Sequence, residues 1–179
     1  MIDGAQIRTH SGDYVWPLYP WKWTPRIDDI TFALSNLTRF TGHTDFYSVA
    51  EHSCRVSDLL PAELQLAGLL HDAAEAYLGD CASPLKHHPM FGEAYRAAER
   101  ALMERIEEVF RIDTDHDLIH WADLRLLATE KRDLLGGDES WRLLEGVRPL
   151  ADVIVPWSPE AARTAFLSRY RLLALEMAA

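Results

Sequence analysis

The sequence predicts an all-α fold, and three observations carry that expectation. Apolar residues recur at three- and four-residue spacings along most of the chain, and cap and turn residues punctuate those stretches. No strong alternating pattern appears, with Asp152–Pro156 the one weak candidate for a strand. At 179 residues, 48% of them apolar, the chain is long enough to bury a substantial core. No internal repeat, low-complexity tract or long linker divides it. A single compact helical bundle is therefore expected over residues 1–179: an arm at 1–26, a core at 27–135, and a loop with a last helix at 136–179.

Taken in order, residues 1–26 read as irregular. Ser11-Gly12-Asp13 is a turn, and Pro17, Pro20 and Pro25 interrupt any helix. The arm is rich in aromatics (Tyr14, Trp16, Tyr19, Trp21, Trp23), which suit packing on the domain or on a neighbouring subunit, or stacking on a base. Ile27 opens a helical pattern through Ile30, Leu34, Leu37 and Phe40 that Thr41-Gly42 stops. A second helix is expected from about Ser48 to Leu60, with Ser48 as cap and Glu51 as its capping-box partner. Pro61 ends it, and Glu63 to Leu78 read as one continuous central helix. Gly79 to Pro84 reads as a loop. Further helices are expected over Gly92–Phe110, over about His116–Leu135 before Gly136-Gly137, and from Pro159 onward, capped by Ser158.

Composition narrows the function classes. The net charge of −10 repels nucleic-acid backbones, whose recognition needs a basic footprint. A small anionic substrate stays compatible if a metal and a few cations reverse the sign locally. Cys54 and Cys81 have no zinc-finger spacing and read as reduced, buried thiols. The first residues lack the charged and apolar regions of a signal peptide, and no apolar run approaches the roughly 18 residues of a membrane span. A cytoplasmic protein without membrane partners is expected.

The chemistry concentrates in Leu66–Asp80, where an apolar run leads into His71-Asp72 and then Glu75. Positions three and four apart share a helix face, so Glu75 stands beside the pair. Such a patch is costly to bury unless something pairs with it. It is either a metal site with a free carboxylate or a solvated rim. His52 and Asp123 also interrupt apolar helix faces. Two imidazoles and two carboxylates from three helices suit a divalent first-row ion.

In this order and spacing, His52, His71-Asp72 and Asp123 resemble the H…HD…D signature of the HD-domain phosphohydrolases. The runs Arg39-Phe40, Ser48-Val-Ala-Glu-His52-Ser, His71-Asp72-Ala-Ala-Glu75, Gly79-Asp80 and Ser83-Pro84-Leu-Lys86 resemble its 5′-deoxynucleotidase branch, which includes compact viral enzymes that dephosphorylate dATP. The resemblance covers about residues 27–135 and implies an HD-domain bundle. It also implies metal-dependent removal of phosphate from deoxynucleotides, as dNMP or dNTP, with dATP a favoured candidate. By the same resemblance His52, His71, Asp72 and Asp123 hold one divalent ion (Zn, Co, Mn, Ni or Fe), Glu75 moves protons and Arg39 orients the phosphate. Phe40 takes a place near the sugar where the family often has Trp. Asp80, Cys81, Ala82 and Ser83 match a loop touching the nucleoside, Asp80 as acceptor for the 3′-hydroxyl, and Lys86 adds positive charge for phosphates. A homo-oligomer, dimer or hexamer, is the expected assembly.

Other residues are weaker candidates. His43 sits in a turn, His87-His88 lack partners for a second metal, and Glu130 either orients a metal ligand or pairs with a surface cation. Three rival functions stand beside the leading one. A guanosine-polyphosphate hydrolase would resemble HDxxED, but Ala76 follows Glu75 here; an HD-type nuclease is disfavoured by the charge; the third is a non-catalytic nucleotide-binding HD module.

Overall fold

Helices wrapped around one interior helix make up the fold in the computed structural model, which describes residues 5–177. The elements are two short strands, β1 (Ile7–Arg8) and β2 (Tyr14–Val15), and helices α1 (Ile27–Asn36), α2 (Val49–Asp58), α3 (Gln65–Leu70), α4 (Glu75–Leu78), α5 (Ser83–Lys86), α6 (Gly92–Phe110), α7 (Asp117–Glu130) and α8 (Pro159–Met177). The all-α expectation holds. The arm is more ordered than expected, because β1 and β2 pair antiparallel with Ile7 opposite Val15. The turn at Ser11-Gly12-Asp13 joins them, with Gly12 at φ 94°. Ser11 donates to Asp29 of α1 from its backbone N–H at 2.7 Å and its hydroxyl at 2.9 Å. Trp23 packs edge-on against Tyr77, 4.7 Å between ring centres, so the arm lies on the domain.

α2 is the interior helix. Val49, Ala50, Glu51, His52, Ser53, Cys54, Val56 and Ser57 are all buried. Its face toward α1, α3, α6 and α8 joins Val49, Ala50 and Cys54 to Ile30, Leu34, Leu70, Leu102, Ile106 and Phe166. Its other face joins Val56, with Leu60 just beyond its end, to Tyr47, Ile119, Ala122, Leu126 and Ile154, mostly from α7. The two apolar clusters thus share one helix. Ser48 caps α2, its hydroxyl accepting from the Glu51 N–H at 3.1 Å. The reciprocal half of the capping box does not form. The Glu51 carboxylate instead accepts from the Trp157 N–H at 2.7 Å and from Arg55 at 2.8 Å, fastening the chain before α8 to α2.

Four expectations need correction. The Ile27 helix stops at Asn36, and Leu37–Arg39 run extended beside Tyr47–Val49: the Arg39 N–H donates to the Tyr47 carbonyl and the Val49 N–H to that of Leu37. Leu37 and Phe40 keep helical spacing, but pairing with Tyr47–Val49 takes the Leu37–Arg39 backbone, and Phe40 turns left-handed. The central helix is broken across His71–Ala74 into α3 and α4. There the N–H groups of Ala73, Glu75 and Ala76 reach back three residues, the tight spacing of a 3₁₀ turn. The loop after Gly79 contains the short helix α5, begun by Pro84 in its first turn. Cys81 is only half-buried, while Cys54 is fully buried; both are free thiols.

The remaining boundaries agree closely. α6 spans Gly92–Phe110 as expected, closed by a left-handed Arg111. α7 starts one residue after His116, whose Nδ1 caps the Leu118 N–H, and continues as a π-turn over Lys131–Leu135. Asp152–Pro156 pairs with no strand among the described residues. Its alternation is real in burial, with Val153 and Val155 exposed and Ile154 buried. Side chains of the π-turn satisfy its backbone: Asp133 accepts from the Ile154 N–H, and Arg132 donates to the Leu150 and Asp152 carbonyls. Among the described residues no helix is long and apolar enough to cross a membrane.

α6 also fastens the segment between α4 and α5. The Tyr95 hydroxyl donates to the Gly79 carbonyl at 2.7 Å, Lys86 pairs with Glu99 at 2.7 Å, and the Arg96 guanidinium donates to the Lys86 carbonyl. A Cβ at Gly92 would overlap that same backbone carbonyl, which cannot swing aside as a side chain can. Gly92→Ala is therefore expected to destabilise the protein by about 1–3 kcal/mol, the usual cost of overpacking. In a chain of this size each kcal/mol lowers Tm by roughly 2–4 °C. A thermal melt of Gly92→Ala matching the wild type would show that the Gly79–Lys86 segment is not held against α6.

Candidate metal centre

Three pieces of chain converge beside α2. α2 itself brings His52, the tight turn between α3 and α4 brings His71 and Asp72, and α7 brings Asp123 and, two turns later on the same face, Glu130. His52, His71 and Asp72 each place one ligand atom within 4.8 Å of the others. His52 Nε2 lies 3.5 Å from Asp72 Oδ2, and His71 Nε2 lies 3.2 Å from the same oxygen. Asp123, the fourth expected ligand, stands at the edge of this trio with Oδ1 3.2 Å from His52 Nε2.

Both rings are held in one tautomer from behind. The Gly68 carbonyl can only accept, so at 2.8 Å it fixes the proton of His71 on Nδ1. Glu130 Oε1 does the same for His52 Nδ1 at 2.6 Å. With each ring neutral, as a metal ligand must be, its Nε2 lone pair would be turned toward Asp72, and both Nε2 atoms are buried without a hydrogen-bond partner of good geometry. Oriented imidazoles, unpartnered nitrogens and a shared carboxylate are what a divalent ion requires of its ligands. The residues present fit such an ion, with a mixed nitrogen and oxygen set suited to first-row metals.

The electrostatics point the same way. Burial alone would raise Asp72, yet His71, His52 and Arg39 hold it well below the usual carboxylate range. Burial likewise opposes ionisation of Asp123 and Glu130, but His52 lowers the first, and Arg39 and His52 lower the second. The same pairs seen from the imidazoles push His52 up to about 9, against both burial and Arg39, and raise His71. In the ion-free chain the carboxylates thus draw positive charge onto the site.

Arg39 enters from the extended segment that follows α1 and is nearly buried. Its Nη2 lies 3.1 Å from Glu130 Oε2 and its Nη1 lies 3.6 Å from Asp72 Oδ2. Burial disfavours its charge, but Glu130, Asp72 and Asp123 outweigh that and keep it cationic. The Phe40 ring sits 5.5 Å from the guanidinium carbon. Phe40 and Thr41 both take left-handed backbone angles, φ 57° and 52°, sterically unfavourable for residues with a Cβ and often associated with functional sites.

Glu75 is buried, with Oε2 unpartnered. Burial, then the charges of Asp72 and Asp80, push its carboxyl well above the usual range. Burial also raises Asp80, and Asp72 adds to this. Cys81 and Ala82 are half-buried, and Ser83 is exposed at the start of α5. Lys86 is half-buried and held by Glu99, with Asp72 and Glu75 near enough to favour its charge. His43, His87 and His88 are exposed, and among the described residues none joins a metal-binding group.

Two features go further than the sequence reading. Glu130, which spacing offered as orienting a metal ligand or, more often for such an acid, as a surface partner for Arg or Lys, is fully buried and serves His52 and Arg39 together. A cavity of about 350 Å³ reaches His71 and Asp123 and is walled by Thr114, Asp115, His116, Asp117, Ile119 and His120. The polar spacing of His116 and His120, one helical turn apart, was a usable signal for it.

Comparison with known proteins finds relatives but no matching family model. The uncharacterized protein RCAP_rcc00048 of Rhodobacter capsulatus is 43% identical over 70 residues, 34% of this chain and 36% of its own length. The uncharacterized protein YfdR of Escherichia coli (strain K12) is 38% identical over 149 residues, covering 80% of this chain and 82% of its own. At that identity and coverage, the chain belongs to the family of YfdR.

Proposed function

We propose that this chain is a metal-dependent phosphohydrolase of the HD-domain type that removes phosphate from deoxynucleotides, as mono- or triphosphates, with dATP a favoured candidate. One observation carries the reading: a buried arginine stands 3.6 Å from the carboxylate shared by two tautomer-locked histidines. That pairing sets an anion anchor next to a cation site, as phosphoryl chemistry requires.

A divalent ion held by His52, His71, Asp72 and Asp123 would supply Lewis acidity, acidifying water and polarising a phosphoryl oxygen. The chain's own groups do the remainder. Arg39 presents a planar fork that fits two phosphoryl oxygens and matches their growing charge. Burial beside Asp72 favours the protonated form of the Glu75 carboxyl, which can deliver that proton to the leaving oxygen. Asp80 is in reach of this group electrostatically and is the acceptor proposed for the sugar 3′-hydroxyl. Phe40 stacks near Arg39 and offers an apolar ring where a 2′-hydroxyl would need a partner.

The test is phosphate release from the common ribo- and deoxynucleosides, as mono- and triphosphates, with Mn, Co, Ni, Zn or Fe and with chelator. Metal-dependent release, greater from the deoxynucleotides, is expected. No release with any pairing would overturn the reading. Within this assay, His71→Ala or Asp123→Ala should lose bound metal by elemental analysis. Glu75→Ala should keep metal yet lose about 10²–10⁴-fold in rate, the usual share of general acid–base catalysis. A metal-free Glu75→Ala protein would reassign that residue.

Arg39→Lys preserves charge but not the fork, so kcat should fall. An unchanged kcat would remove Arg39 from the phosphate. A 2′-hydroxyl desolvated against Phe40 without a partner should cost about 1–3 kcal/mol. That corresponds to roughly tenfold to over a hundredfold in kcat/KM. Phe40→Ala should narrow this gap between dATP and ATP, whereas Asp80→Ala should weaken both; equal hydrolysis of both sugars by the wild type would defeat the argument.

A further inference from the structure

Glu130 divides its two oxygens between partners with different tasks. Oε1 accepts from His52 Nδ1 at 2.6 Å, and Oε2 accepts from Arg39 Nη2 at 3.1 Å, in a residue with no solvent exposure. The first bond turns the His52 lone pair toward the cation site. The second sets the plane of the guanidinium, whose other terminal nitrogen points to Asp72. α7 delivers this acid seven residues after Asp123, so one helix face supplies a candidate ligand together with the group behind another. An aspartate would be one methylene too short to bridge both partners from this backbone.

We propose that Glu130 is a positioning residue that ties the cation site to the anion anchor, so that the two are set by one buried carboxylate. The inference rests on the metal reading above and extends it to the means by which Arg39 is aimed. Its consequence is a separable effect of substitution. In Glu130→Gln the amide oxygen still accepts from His52 Nδ1–H. To do so the amide turns its N–H₂ group toward Arg39, which is also a donor. His52 stays aimed, and Arg39 is released. In Glu130→Ala both are released.

The experiment uses metal-stripped full-length protein, titrated with Co²⁺ and followed by its visible absorption. Inorganic phosphate is then titrated by calorimetry into the cobalt-loaded protein. Glu130→Gln is expected to keep the cobalt Kd within about tenfold of wild type and an unchanged cobalt spectrum, while phosphate binds at least about tenfold more weakly. Glu130→Ala should weaken cobalt by about 10–100-fold, the usual effect of removing the partner behind a ligating histidine. Arg39→Lys should leave cobalt alone and weaken phosphate. The Arg39→Lys/Glu130→Gln double variant should be no weaker for phosphate than the weaker single one, because both act on one contact. Wild-type phosphate affinity in Glu130→Gln, or additive losses in the double variant, would overturn the proposal, as would a wild type that binds no cobalt. A wild type that binds cobalt and phosphate but hydrolyses no nucleotide would refute the proposed activity and leave this inference standing.

Discussion

Burying a helix on every side obliges its polar side chains to find partners, and α2 is such a helix. His52 and Glu51 are adjacent on it, both inaccessible to solvent, and they face different neighbours. Glu51 is answered by Arg55 and a backbone amide ahead of α8; His52 is answered by Glu130 of α7. These two adjacent residues, about 100° apart around the helix, therefore pin two different packed elements to it. Removing one partner from such a pair leaves an uncompensated buried group, a larger penalty than the bond itself contributes. The candidate site is thus continuous with the architecture. The imidazole of the candidate cation site also holds α7 in place.

The charge balance of the centre follows from that arrangement. Asp72, Asp123 and Glu130 surround one arginine and two histidines, and Glu75 lies near enough to feel Asp72. Anions crowded in a poorly hydrated space cannot all remain charged without added cations, and the burden falls on Glu75, which lacks a cationic partner of its own. Two carboxylates in one pocket are in this way pushed toward different protonation states. That separation is how neighbouring acids come to serve different roles.

Much of this was legible in the sequence because the signals were local. Ser48 and Ser158 announced helix starts through hydrogen bonds only three residues long, and Gly92 to Phe110 was bounded by its own periodicity. His52, His71, Asp72 and Asp123 stood out as polar residues on apolar faces. What could not be read depended on distant partners. Leu37 and Phe40 keep helical spacing, and only the pairing with Tyr47–Val49 draws that stretch out of the helix. No glycine or proline marks the break at His71–Ala74. Glu130 shares the face of Asp123, but its choice between a metal ligand and a surface cation depends on Arg39 and His52, 91 and 78 positions away.

The break in the central helix has a geometric meaning for Asp72 within it and Glu75 just after it. In a regular α-helix, residues three apart are offset by about 60° around the axis, whereas in a 3₁₀ turn they eclipse. The Glu75 N–H reaches back to the Asp72 carbonyl in just such a turn. Local pitch therefore acts as a vernier between these side chains, bringing the second carboxylate over the first. A smoothly propagated helix through the same four letters would keep the composition of the centre and lose its alignment.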